Sequence, residues 1–150
     1  MRIQVPSDFV RVNWYGRGPW ENYPDRKSGC LIGIYESTLE NFITNYPAPQ
    51  DNANRCDVRW FNLTEENGNI IKVTGLQPLC FHAWPYSEVD LEKAKHPFDL
   101  PKHNLTNLNI DLNIHGVGGN DTWGAKTLEK YTIKGDKPYQ YGFVLEYHGN

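Results

Sequence analysis

Apolar residues in this chain recur mainly at every second position, and clusters of Gly, Pro, Asn and Asp interrupt them about every ten residues, the rhythm of an antiparallel β protein. The clearest run is 108–115, where Leu108, Ile110, Leu112 and Ile114 alternate with Asn109, Asp111, Asn113 and His115. In a strand the two sets point to opposite sides, so one face meets a core and the other meets water or a second surface. The same reading predicts strands over 9–15, 30–36, 57–62, 70–74, 79–86, 128–133 and 139–147. A single helix is predicted between Ser87 and Pro97. Ser87 suits its N-cap, Glu88 and Asp90 load the first turn with negative charge, and Lys93, Lys95 and His96 load the end before Pro97 stops it. Such a helix links two strands. Gly16-Arg17-Gly18-Pro19, the stretch 46–52 and Gly116 to Asp121 read as loops. With no internal repeat and no shift in composition, residues 1–150 read as one all-β domain, an antiparallel β-sandwich with one short helix.

Composition narrows the functions open to such a domain. At 150 residues the chain can bury a real core but falls short of the roughly 250 residues of a (β/α)8 barrel. Fifteen Lys and Arg against 18 Asp and Glu leave a net charge of -3, without the basic excess that phosphate-backbone or anionic-lipid binding draws on. Nucleic acid and membrane are therefore not expected partners, and the first residues contain no apolar run of signal or spanning length. Cys30, Cys56 and Cys80 are an odd number at wide spacing, which suits small buried hydrophobes better than a disulfide framework or zinc ribbon.

Function-like features concentrate in His115 to Trp123. Its glycines allow tight backbone conformations, Asn120 and Asp121 offer hydrogen-bonding groups, and Trp123 offers a flat apolar face. A sugar is recognised by that chemistry, the C–H face of a pyranose packing on an indole while amides and carboxylates take the hydroxyls. Against it stands the plain reading of each part, a core tryptophan and a Gly-Gly-Asn-Asp turn. Glycoside hydrolysis needs two carboxylates flanking one bond. Glu21, Asp25, Asp111 and Asp121 are available, yet their spacing suggests no pair, and Glu21 and Asp25 sit in a turn where acidic groups bond local backbone or Arg26. The five histidines are scattered without metal-ligand spacing, and no G-x-S-x-G elbow is present.

Several segments together resemble one family. The segment 12–26, containing Gly16-x-Gly18-Pro19-x-Glu21-Asn22-Tyr23-x-Asp25-Arg26, is joined by the stretches 46–59, 81–91 and 108–123. In order and spacing, from about Phe9 onward, these are similar to the C-terminal domain of large bacterial β-galactosidases of glycoside hydrolase family 2. The resemblance implies a part of an antiparallel supersandwich, similar in topology to galactose mutarotases, closing a multidomain retaining enzyme that cleaves terminal β-D-galactosyl bonds such as that of lactose. It implies that the catalytic carboxylates and the Mg2+ sites, with Na+ as a further candidate ion, lie on other domains, so this chain carries no catalytic residue, metal or cofactor of its own.

Of the family's ligand contacts only Trp123 carries over, as the residue stacking on sugar at the aglycone side. Gly118, Gly119, Asn120 and Asp121 carry over as residues shaping its loop, Thr122 lying among them. Asn120 stands where the best-known members place Asp, and Ala53 closes a turn, Gln50-Asp51-Asn52-Ala53, that ends in Gly in the family. The implied partners are a β-galactoside, the remaining domains of the parent enzyme, and a second copy when the chain is isolated with an apolar face uncovered. Bacterial cytoplasm and periplasm both stay open. A free-standing carbohydrate-binding module using the same loop is the competing reading. An aldose epimerase would need an acid–base pair that the sequence does not offer.

Overall fold

Strand alternation and turn chemistry produce seven strands in the computed structural model, which describes residues 1–121 and 123–149. These are β1 (Arg2–Pro6), β2 (Phe9–Gly18), β3 (Leu31–Thr38), β4 (Arg55–Glu65), β5 (Ile70–Trp84), β6 (Leu105–Asp111) and β7 (Phe143–His148). They form one antiparallel sheet in the order β1-β6-β5-β4-β2-β3, with β7 also paired to β5.

The runs 70–74 and 79–86, expected as two strands, are the two halves of the continuous β5. Both halves pair with β4 along one edge, while along the other edge the first half pairs with β7 and the second with β6. Between them the strand turns sharply at Gly75, where a Cβ would lie 2.3 Å from the Gln77 carbonyl oxygen. Phe61 of β4 sits opposite Val73, eight residues before Phe81. Along a straight strand eight residues span roughly 26 Å, yet the Phe61 and Phe81 rings stack with centroids 4.0 Å apart. The sheet therefore folds back on itself and its two halves become the layers of a sandwich. Val12, Trp14, Phe42, Leu63, Leu79, Leu108 and Ile110 fill the space between, all buried. Cys56 and Cys80 are also buried, as small apolar groups, with the Cys80 thiol against the Cys56 sulfur at 3.5 Å; all three cysteines are free.

The strand expected over 108–115 ends at Asp111. On one side β1 pairs only as far as Arg2 with Asn109, and on the other β5 supplies partners only as far as Cys80. Beyond that lies Pro78, which has no N–H to offer a ladder. The strand expected over 128–133 is instead a 3-10 turn at Glu129–Tyr131, because no neighbouring strand meets it. Two short elements were not legible: β1, and a single helical turn, α1 (Leu39–Phe42), capped by the Thr38 hydroxyl and anchored by buried Phe42.

The predicted helix is present as α2 (Glu88–Lys93), linking β5 to β6. Ser87 and Asp90 cap it reciprocally, and Leu91 is its buried residue. It ends before Lys95 and His96, which lead into a second 3-10 turn at Pro97–Asp99. The polar face of β6 thus meets a second surface rather than water: Asn107 and Asn109 are buried, Asn107 Nδ2 donates to the Tyr86 carbonyl at 2.7 Å, and Asn109 Nδ2 donates to Glu88 Oε1 at 3.0 Å. Asn109 also contacts His82, whose ring packs on Trp84 with centroids 4.1 Å apart.

Burial pushes the His82 pKa down from 6.5 to about 4, against the pull of Glu88. A histidine held neutral in the fold binds its proton more readily once unfolded, so stability rises with pH across that window. The contribution is complete above about pH 6.5 and is lost as pH falls toward 4. We expect the unfolding free energy to drop by roughly 3 kcal/mol from this group across the window. His82→Gln should flatten the slope in urea titrations at stepped pH, and an unchanged slope would assign the acid sensitivity elsewhere.

Candidate functional site

The loop that follows β6 is held in place from a distance. Asp25, in the turn after β2, accepts the Val117 N–H with one carboxylate oxygen at 3.0 Å and the Gly118 N–H with the other at 2.8 Å. Its neighbour Arg26 donates to the Gly118 carbonyl and, at 3.4 Å, to Asn120 Oδ1. Partial burial raises the Asp25 pKa, but the Gly118 and Val117 N–H groups, with Arg26, outweigh it and hold the carboxyl below its usual range. The base of the loop is closed by Thr127, whose hydroxyl donates to the Gly116 carbonyl at 2.8 Å, and by the Gly116 N–H donating to the Tyr131 carbonyl at 2.9 Å. At Gly116 a Cβ would stand 2.8 Å from Thr127 Cγ2 and 2.9 Å from Asp25 Cγ, so only glycine lets these strands of the loop close up. Gly118 and Gly119 follow with φ of 66° and 70°, the left-handed region that reverses the chain.

Trp123 stands at the tip, 91% exposed. Asp121 Oδ1 accepts both its N–H, at 2.9 Å, and that of Ala125, at 3.1 Å, so this carboxylate shapes the backbone beneath the indole. The structure thus brings Gly118, Gly119, Asn120, Asp121 and Trp123 into one loop; Thr122 lies outside the described residues. The core-tryptophan reading fits Trp14 and Trp84, which are buried, and not Trp123. A second indole, Trp20, is also exposed, on the segment that carries Asp25.

The four candidate acids are occupied individually. Glu21 accepts the Tyr46 hydroxyl and the Ala53 N–H at 2.8 Å, the latter fixing a residue whose φ is +63° despite its side chain. Asp111 lies 3.3 Å from the Met1 ammonium, and Asp25 and Asp121 bind backbone N–H groups as described. A divalent cation needs several unengaged oxygens. Glu21 and Asp25 have both oxygens engaged and Asp121 one of its two, and no cluster of three His, Cys, Asp or Glu side chains occurs among the described residues.

Sequence reasoning did not identify Asp25 and Arg26 as loop anchors. It gave Asp25 only local partners, whereas its hydrogen bonds reach 92 and 93 residues along the chain. The signal available was the shared presence of Asp25-Arg26 and of the glycine-rich loop among the segments that carry the resemblance. Apart from the loop, a groove of about 740 Å3 is lined by Phe9, Val10, Leu39, Ile43, Leu100 and His103 among others, and shares no residue with 115–127.

Comparison with known proteins places the chain in a family. Residues 1–145 match the family model described as beta galactosidase small chain. The chain is 36% identical over 146 residues to a beta-galactosidase of Priestia megaterium, covering 97% of this chain and 14% of the relative. It is 38% identical over 143 residues to a beta-galactosidase of Pseudoalteromonas haloplanktis, covering 95% and 13% respectively. A beta-galactosidase of Lactobacillus delbrueckii subsp. bulgaricus shows 33% identity over 146 residues, again covering 97% and 14%. The chain thus corresponds to about a seventh of the length of these relatives.

Proposed function

The chain belongs to the beta-galactosidase small chain family, and on that basis we propose that it serves as one domain of a larger retaining enzyme that hydrolyses terminal β-D-galactosyl bonds of lactose-like substrates. In this reading it contributes no catalytic group. It shapes the mouth of the active site through Trp123 and buttresses domains outside these 150 residues, where the catalytic carboxylates and Mg2+ belong.

The observation that carries the reading is Trp123, an exposed indole on a loop held by side chains remote in sequence. A flat apolar face flanked by hydrogen-bonding groups suits the C–H face of a sugar. Support for the buttressing role comes from apolar surface without a cover. Leu145 and Tyr147 of β7 pair with Val73 and Ile71 and so point to the side that is core elsewhere, yet both are exposed. On the opposite face Ile34, Tyr15, Trp60, Thr74 and Val144 pair in one row across five strands. Ile34, Tyr15 and Val144 are exposed there. Such patches mark contact surfaces, here for the remainder of the parent chain. In its absence a second copy is the expected cover.

The isolated chain should show no turnover of a chromogenic galactoside, and robust hydrolysis would overturn the proposal. Lactose titrated against its Trp fluorescence should bind at millimolar concentration or more weakly, since one stacking face without further hydroxyl-binding groups supplies little free energy. Micromolar affinity would instead identify a free-standing carbohydrate-binding module.

A further inference from the structure

We infer that Asp25 and Arg26 are positioning residues for Trp123, a latch that sets where the indole meets the leaving-group side of the substrate. The inference rests on the sugar-stacking reading of Trp123 given above. It goes beyond that reading by assigning aglycone discrimination to two residues that act through the loop backbone.

The geometry is that of a two-sided clamp. A carboxylate accepting two successive backbone N–H groups fixes the two peptide units that carry them relative to one another, and each charge-assisted bond is stronger than a neutral one. Asp25 does this at Val117 and Gly118, from the donor side. Arg26 binds the Gly118 carbonyl from the acceptor side and reaches Asn120 Oδ1. Gly118 is therefore held on both sides, its N–H by a carboxylate and its carbonyl by a guanidinium, from adjacent residues. Nearer the tip, Asp121 Oδ1, a group of the loop itself, accepts the N–H groups of Trp123 and Ala125. Gly119 has no side chain, and the nearest atom to the site of its Cβ is Arg26 Nη2 at 3.7 Å. With the stem closed by Thr127 and the tip shaped by Asp121, the junction between them is where the loop can swing, and the latch acts there.

The mutations belong in the parent enzyme, with two measurements. In Asp25→Asn one oxygen becomes an NH2 that faces a backbone N–H, so one bond is lost and the other loses its charge. Hydrogen exchange followed by mass spectrometry should be about tenfold faster in the peptide spanning 115–121. A peptide from 79–84 in the core should keep its protection. Arg26→Gln provides the same test without altering the carboxylate, and unchanged exchange at 115–121 in both variants would overturn the inference. In steady-state kinetics, Trp123→Ala should raise KM chiefly for galactosides whose leaving group reaches the loop. Asp25→Asn should raise KM for the same substrates, and the double variant should be no worse than Trp123→Ala. Additive effects, or a normal KM in Asp25→Asn beside a raised one in Trp123→Ala, would overturn the latch while leaving the stacking reading in place. A Trp123→Ala enzyme with unchanged KM for every galactoside would overturn the stacking reading itself, and with it the latch's link to substrate.

Discussion

Truncating Phe81 to alanine is expected to lower the unfolding free energy by about 3–5 kcal/mol, the range for large aromatic deletions in a core. Phe81 is fully buried and lies nearly parallel on Phe61 at 4.0 Å. It also stacks on Phe42 at 5.4 Å and meets Trp14 edge-on at 6.4 Å. These four rings come from β5, β4, α1 and β2, so one deletion loosens the joint between the two halves of the folded sheet. Since domains of this size hold only about 5–15 kcal/mol in total, the variant should unfold at much lower urea. Phe81→Leu keeps most of the volume and should cost less, near 1–1.5 kcal/mol. The test is the urea midpoint at constant slope. A loss below about 1 kcal/mol for Phe81→Ala would mean that the neighbouring rings close the cavity and that the joint lies elsewhere.

Trp14, Phe61 and Phe81 of that joint fall in strands the sequence predicts, but Phe42 does not, and the meeting of the four rings was not legible. Alternation shows that Phe61 and Phe81 face a core. It does not show that β5 bends between Val73 and Leu79, because the bend depends on β6 and β7 sharing one edge of the strand. Local signals served best where the physics is local. Ser87 and Asp90 cap α2 as their types predict, and Pro97 lies beyond its end. They failed where a partner decides the state: 128–133 has strand composition but no neighbour to pair with. They left open whether the polar face of β6 meets water or a second surface, and α2 decides it by covering Asn109. At the candidate site the loop glycines, Asp121 and Trp123 were legible together because they are contiguous. Asp25 and Arg26 were not, because a carboxylate in a turn has local uses and nothing in its neighbours points 92 residues ahead.

Asn22→Ala should cost about 3–5 kcal/mol, because the fully buried amide joins three backbone groups and each orphaned one carries a penalty of roughly 1–3 kcal/mol. Its Oδ1 accepts the Cys56 N–H at 2.8 Å, and its Nδ2 donates to the Trp20 carbonyl at 3.0 Å and, more loosely, to that of Arg17 at 3.4 Å. Its backbone is bound as well, its N–H donating to the Asn54 carbonyl at 2.8 Å and its carbonyl accepting Asn54 Nδ2 at 2.6 Å. Those backbone bonds can survive truncation, so the loss reads the side chain alone. Asn22, beside the Lys27–Asp57 ion pair, ties the segment carrying Asp25 and Arg26 to β4, which puts it upstream of the loop latch in a mechanical order. Exchange at 115–121 should therefore quicken in Asn22→Ala as it does in Asp25→Asn, whereas Asp25→Asn should leave the Cys56 amide protected. Loosening in both directions would place the two residues in one cooperative unit. A stability loss under about 1 kcal/mol in Asn22→Ala would show that water or a shifted backbone satisfies the Cys56 N–H, and that the turn is held by Asn54 instead.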